Sequence, residues 1–241
     1  MDEKIFLGNW SLQKLDELLH KGSNGEDLGG RIDFLSRQFL GTPYKESTLI
    51  GDTKIPEALV INFEAFDCFT FLDSIEAMRL SHSFTEFHKH LQRVRYKEGI
   101  VSYEKRNHFF TDWREFNSDT IQDRTVEIGG NKTKTVSKTL NRKDDGSHFL
   151  AGIAPVEKII SYIPSDDVDE TVLTGLETGD YAGIYSELQG LDVSHVGIII
   201  KNRLGAIFRH ASSASVIRKV VDQDFLEYIS GKPGIIILRP C

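Results

Sequence analysis

Apolar residues recur at helical spacing through the first hundred residues and give way after residue 100 to short strand-like runs separated by polar and Gly-containing turns. A chain that groups its helices first and its strands afterwards folds as α+β, not as an alternating α/β domain. Leu12, Leu15, Leu18 and Leu19 mark the first helix, Gly22 supplies its stop, and Ile32, Leu35, Phe39 and Leu40 continue the theme. Gly41 tolerates a left-handed turn and Pro43 bars a return to helix, so Gly41-Thr42-Pro43-Tyr44 is a turn that holds Tyr44 just beyond a helix end. A second block begins at Asp67, whose carboxylate suits the N-cap, and carries Phe69, Leu72, Ile75 and Met78 on a broad apolar face. That places Cys68 at the first helical position. Ser83 and Glu86 have capping-box spacing, and Phe84, Phe87, Leu91 and Val94 predict a further helix to about Glu98. Residues 128–146 are expected to form a polar hairpin or excursion with its lysines as a solvated edge. With no repeat and no low-complexity linker, residues 1–241 read as one elaborated domain whose helical N-terminal part reaches about residue 40.

Charge and cysteine count narrow the function. With 29 basic against 36 acidic residues the net charge is −7, which gives no global electrostatic reason to bind nucleic acid. Two cysteines, Cys68 and Cys241, exclude a disulfide framework and a zinc finger built on paired cysteines. The N-terminus carries acids where a signal peptide needs a basic start, and no apolar run approaches the roughly 20 residues that span a bilayer. A soluble chain, or one whose leader is missing, is expected, with the compartment and the oligomeric state left open.

Cys68 is the first candidate for chemistry. A thiol at a helix N-terminus meets unpaired N–H groups and the positive end of the dipole, which lower its pKa and favour the reactive thiolate. Taken alone, it also fits a small buried apolar residue. A partner base is needed, and Ser194-His195-Val196-Gly197-Ile198-Ile199-Ile200 and Gly205-Ala206-Ile207-Phe208-Arg209-His210 supply one, as two β runs flanking the polar loop Lys201-Asn202-Arg203-Leu204. If Ile200 pairs with Gly205, His195 faces His210 across an antiparallel ladder, where opposed Cβ atoms lie about 4.5 to 5.5 Å apart. One imidazole then orients the other. Nucleophile, base and orienter together are what covalent cysteine catalysis requires. The remaining histidines lack such a pattern, and most read as surface residues.

These segments resemble a known family. Phe39-Leu40-Gly41-Thr42-Pro43-Tyr44, Phe66-Asp67-Cys68-Phe69-Thr70-Phe71 and Ser194-His195-Val196-Gly197-Ile198 are similar, in that order, to the NlpC-type papain-like cell-wall hydrolases. The Phe-Asp-Cys-Phe-Thr-Phe form, with Arg106-Asn107-His108-Phe109-Phe110-Thr111-Asp112-Trp113, resembles the branch called N-acetylmuramoyl-L-alanine amidase-like. The resemblance covers about residue 31 to the C-terminus. It implies a papain-like (NlpC-type) core, with the nucleophile helix packed on an antiparallel sheet that carries the histidines. It also implies a catalytic triad of Cys68, His195 and His210, and a Tyr44 that lines the active site. The implied reaction is cleavage of the amide between muramic acid and L-alanine in peptidoglycan fragments (muropeptides), the anhydro-muropeptides of cell-wall recycling included. Phe69-Thr70 after the cysteine and Lys45-Glu46-Ser47 after Pro-Tyr depart from the general NlpC pattern of Ser and Gly, and favour the amidase branch over the D,L-endopeptidases.

Substrate contacts are expected at Arg106, whose guanidinium suits a lactyl or peptide carboxylate, and at Trp113, which suits a sugar ring or the core. No cofactor is expected. Competing expectations are a zinc hydrolase using Cys68, His195 and His210 as ligands, an acyltransferase with the same cysteine chemistry, and a non-catalytic peptidoglycan-binding module.

Overall fold

The leucine spacing near the N-terminus produces the helix it predicts. In the computed structural model, which describes residues 2–22, 27–203 and 205–241, α1 (Leu12–Lys21) buries Leu15, Leu18 and Leu19 and ends at Gly22, whose N–H bonds the Leu18 carbonyl. Two compact units divide the chain, Met1–Arg106 with Arg209–Asp222, and Asn107–Phe208 with Gln223–Cys241. Met1 and Leu204, the latter assigned above to the hairpin loop, lie outside the described residues.

The first unit begins with β1 (Asp2–Phe6), which runs parallel to β2 (Ala58–Asn62). Helices dominate the first hundred residues as expected, and this strand pair is the addition that the sequence did not predict. The β2 sequence Ala-Leu-Val-Ile is a continuous buried run, as parallel strands are, while β1 is exposed and polar enough to carry no periodic signal. Between them stands α2 (Leu28–Arg37), capped by Asp27. Its Arg31 donates to the carbonyls of Met78, Arg79 and Ser81, at the C-terminal end of α3 (Cys68–Arg79), where helix carbonyls run short of donors. Burial lowers the Arg31 pKa, and Arg79 adds to the effect.

Helix α3 is buried on nearly every side, with Phe71, Leu72, Ile75 and Met78 fully enclosed. Beside it α4 (Phe84–Arg95) buries Phe87, Leu91 and Val94. Ser83 caps α4 through the Glu86 N–H, but the Glu86 carboxylate accepts from His82 rather than completing the expected box. The helix stops at Arg95, short of the predicted Glu98, because Tyr96 turns extended and anchors its hydroxyl on Glu57 at 2.7 Å.

The second unit opens with α5 (Phe110–Phe116), a helix in the stretch predicted to be strand-like. There follow β3 (Ile121–Asp123), α6 (Thr125–Gly129), β4 (Lys134–Leu140), β5 (Val156–Tyr162), α7 (Glu170–Gly175), β6 (Tyr181–Tyr185), β7 (Val193–Asn202), β8 (Gly205–Ala211), β9 (Val220–Asp224), α8 (Phe225–Ile229) and β10 (Ile235–Pro240). The main sheet has the order β3-β10-β6-β7-β8-β9, and β10 and β6, β6 and β7, and β10 and β3 pair antiparallel. The chain passes from one unit to the other within β8, and back within β9. Ile184, Ile199, Phe208, Phe225, Ile235 and Ile237 form much of this unit's core. The result is a mixed α/β protein with antiparallel sheets. Among the described residues, no helix is long and apolar enough to cross a membrane.

Residues 128–146 do not close a hairpin on themselves. Strand β4 pairs antiparallel with β5, from Lys134 opposite Tyr162 to Leu140 opposite Val156. One of the lysines expected to be a solvated edge is instead buried. Lys138 donates to the carbonyls of Ser186, Leu188 (2.9 Å) and Leu191 (3.0 Å), and lies 4.5 Å from the Tyr185 ring centroid. Burial lowers its pKa against the opposing pull of Asp192 and Glu187. Replacing Lys138 with methionine keeps the stem but removes a buried donor from three carbonyls, of which, among the described residues, only Leu188 has another, the Leu191 N–H, and is expected to cost about 1–3 kcal/mol. Urea unfolding measures it, and a loss of only a few tenths would show that water takes over those carbonyls.

Candidate active site

The position of Cys68 follows from how α3 begins. Asp67 accepts from the Thr70 N–H at 2.7 Å, and the Thr70 hydroxyl accepts from the Asp67 N–H at 3.1 Å. This reciprocal cap, with threonine in the usual Glu place, fixes Cys68 as the first helical residue, as predicted. The thiol is half-buried and in no disulfide; Cys241 is a second free thiol, exposed at the far end of the sequence.

The Gly41 turn brings Tyr44 to the same place. Gly41 has φ +87°, the left-handed backbone expected of it, and its N–H bonds the Val220 carbonyl at 2.9 Å. The next residues are laced to the strand entering α3: Phe66 N–H to the Pro43 carbonyl at 3.0 Å, and Lys45 N–H to the Phe66 carbonyl at 2.9 Å. Phe66, two residues before the cysteine, is itself pinned by edge contacts with Phe39 and Phe71. Tyr44 is close enough to Cys68 for the two to interact electrostatically. Burial raises the Tyr44 pKa, with Cys68, Asp67 and Glu46 adding to it and Arg218 opposing. The hydroxyl therefore stays protonated at neutral pH and is available as a donor.

Sequence reasoning missed Arg218. Its carbonyl accepts from the Tyr44 N–H at 2.9 Å, and its exposed guanidinium lies 4.7 Å from the Tyr44 ring centroid, a cation–π distance. Arg218 is also one of the few non-glycine residues at positive φ, +48°, in a Ser/Ala-rich loop that carries no motif.

His195 lies on β7 in the second unit and His210 on β8 in the first. His195 is half-buried, opposite Ile184 of β6, and its ring lies 6.1 Å from Phe208 and 6.0 Å from Tyr228. The β6–β7 register shifts beside it, between Ile184 and Tyr185; such bulges re-aim side chains. His210 is buried next to Arg209, whose guanidinium grips Asp222 with two bonds of 2.7 and 2.9 Å and also reaches Asp33 and Ser36. Those bonds tie that end of β8 to α2 and β9. Strand β7 runs to Asn202, so Lys201 and Asn202, read from the sequence as loop, belong to the strand.

The two predicted substrate contacts are drawn elsewhere. Arg106 makes a two-pronged ion pair with the buried Glu57, Nε to Oε1 at 3.0 Å and Nη2 to Oε2 at 2.5 Å, and Glu57 also accepts from Tyr96. Its charge is matched from within. Trp113 is fully buried, stacked on Phe110 and edge-on to Tyr181, which is core packing rather than a sugar platform. Tyr44, Cys68 and Arg218 are thus brought together within the first unit, while Arg106 and Trp113 are not part of that cluster.

A family model described as N-acetylmuramoyl-L-alanine amidase-like, AmiA-like, matches residues 34–235. The chain belongs to this amidase-like family. The match takes in Tyr44, Cys68, His195 and His210. Among solved structures, a Legionella pneumophila protein of family-model DUF1460 is similar, with TM-score 0.78 and 22% identity over 95% of this chain and 94% of that one. An N-acetylmuramoyl-L-alanine amidase from Bacteroides uniformis has TM-score 0.70 and 23% identity over 94% and 99%. A Bacteroides fragilis protein named as a candidate xylanase has TM-score 0.68 and 26% identity over 85% and 98%. No curated protein matches in sequence. At 22% and 23% identity the first two structures establish a shared fold alone, and the family match is what ties the chain to the amidase-like family.

Proposed function

We propose that this protein is a cysteine amidase that hydrolyses the amide between N-acetylmuramic or anhydro-muramic acid and L-alanine in peptidoglycan fragments. It would do so on an NlpC-type papain-like core, with the whole chain acting as one catalytic domain. The observation that carries the assignment is Cys68 at the capped start of α3 with the Tyr44 segment laced to the residues that lead into it, in a chain matched along this site by an amidase-like family. Cys68 thiolate attacks the muramoyl carbonyl; the C–N bond breaks as His195 gives a proton to the departing L-alanine amine, leaving a thioester. His195 then takes a proton from water, the hydroxide opens the thioester, and the carboxylate of the muramic acid leaves with the thiolate restored. His210 orients His195. The Cys68 N–H and the Tyr44 hydroxyl donate to the oxyanion, and a single donor of this kind is typically worth about 2.7 to 4 kcal/mol. The order of the motifs supports the roles of the two histidines.

Digestion of defined muropeptides, read by mass spectrometry, tests the bond assignment. Free stem peptide beginning with L-alanine, together with intact muramic or anhydro-muramic acid, is expected. A cut between L-alanine and D-glutamate, or beyond it, would place the enzyme with the endopeptidases, and transfer of the acyl group to an amine instead of water would make it an acyltransferase.

A further inference from the structure

A cleft of about 630 Å³ opens in the first unit, bordered by Gly41, Thr42 and Pro43 of the turn that leads into Tyr44. That volume is in the range of small-molecule sites, about 300–1,000 Å³, and far above what a few waters fill. Its lining is mixed. Trp10 contributes an indole that is half-buried and rests on Phe39, ring centroids 5.4 Å apart and tilted by 41°, while Asn9, Lys14 and Glu64 supply an amide, an ammonium and a carboxylate.

The cleft is built by local backbone. Gly8 has φ +57°, and a Cβ there would come within 3.0 Å of the Glu64 side chain, so the turn that presents Asn9 and Trp10 closes tightly on the segment after β2. The Trp10 N–H bonds the Leu7 carbonyl at 3.0 Å and fixes that turn. Gly41, another lining residue, has no atom within 4 Å of where a side chain would stand.

We propose that this cleft is a saccharide subsite, taking an N-acetylated pyranose stacked on Trp10 with its hydroxyl and acetamido groups bonded to Lys14 and Glu64. The axial C–H bonds of a pyranose face carry partial positive charge and meet the negative face of an indole, while ring hydroxyls both donate and accept. A flat aromatic surface flanked by one strong acceptor and one strong donor answers both requirements. In a muramoyl amide the sugar is joined through a lactyl ether only a few bonds from the carbonyl that Cys68 attacks, and the cleft borders the residues that lead directly into Tyr44. The choice of a sugar as ligand rests on the amidase assignment above; the shape and chemistry of the cleft do not.

Intrinsic fluorescence separates the two. The chain has two tryptophans, and Trp113 is fully buried, so a saccharide stacking in the cleft perturbs Trp10 alone. Titrating full-length Cys68→Ala protein with N-acetylglucosamine and its β-1,4-linked dimer is expected to give a saturable change that Trp10→Ala abolishes and Trp10→Phe retains in weakened binding. In kinetics, with Cys68 intact, Trp10→Ala raises KM at least about tenfold for a muropeptide and leaves a lactoyl-L-Ala-D-Glu amide, which has no ring, unaffected. A change on adding L-Ala-D-Glu but not the sugars, no saturable change with either, or equal losses on both substrates would overturn the subsite. Wild-type protein that releases no peptide from any muropeptide would overturn the amidase assignment, while the sugar titration would still decide the cleft.

Discussion

Replacing Cys68 with alanine is expected to lower kcat/KM on muropeptides by about 10⁴-fold or more, because removing the nucleophile of a covalent mechanism leaves only binding and oxyanion stabilisation. Stability should change by no more than about 1 kcal/mol, since the thiol is small and half-buried and the Asp67–Thr70 cap does not use it. The protein carries its own control. Cys241 is also a free thiol, and Cys241→Ser should keep full activity and full sensitivity to iodoacetamide. A Cys68→Ala protein that still turns over at the wild-type rate would sink the mechanism. Loss of wild-type activity to a chelator, with iodoacetamide harmless, would point to the zinc alternative.

The largest stability effect is expected one turn further along the same helix. Asp73 on α3 pairs with Arg95 on α4, Nε to Oδ2 at 2.8 Å, with side chains only 2% and 3% exposed, and Arg95 also donates to the Val60 carbonyl of β2. Burial works against the Arg95 charge, but Asp73, with smaller help from Tyr96 and Asp67, more than offsets it and holds the guanidinium pKa above its ordinary value. Asp73→Ala strands that cation, and should cost about 3–5 kcal/mol, out of a total stability of about 5–15 kcal/mol for an ordinary domain. The double change Asp73→Leu with Arg95→Met removes both charges and should recover most of the loss. Urea titrations of the three proteins decide it; a single mutant as stable as wild type would mean that water reaches Arg95. Activity should fall with the single mutant too, because α3 carries Cys68.

What was legible in the sequence was set by local chemistry. The cap at Asp67, the stop at Gly22, the left-handed Gly41 and the strands around His195 and His210 all depend on residues within a few positions of one another. What was not legible depends on distant partners. Arg106 reads as a free cation until Glu57, 49 positions away, takes it, and Lys138 reads as a surface lysine until three carbonyls about 50 positions away enclose it. Trp113 offers a sugar platform on paper, but Phe110 and Tyr181 bury it. Strand β1 is short, polar and exposed, and only its parallel partner makes it a strand. Trp10, a single aromatic after a Gly-Asn turn, has no periodicity to announce its place in the cleft.

The path of the chain sets a timetable for synthesis. The first unit needs Arg209–Asp222: Arg209 holds Asp33 and Ser36, Arg218 receives Tyr44, and Val220 bonds both Gly41 and Thr42. None of these partners exists when residue 106 leaves the ribosome. At about 5–20 residues per second, the missing segment follows roughly 6–20 s later, and until then the helix that carries Cys68 waits with one side of its unit unbuilt. Nascent chains halted before residue 209 should therefore be open to proteases and chaperones in their first hundred residues, and the unit around Cys68 is complete only once residue 222 has been made.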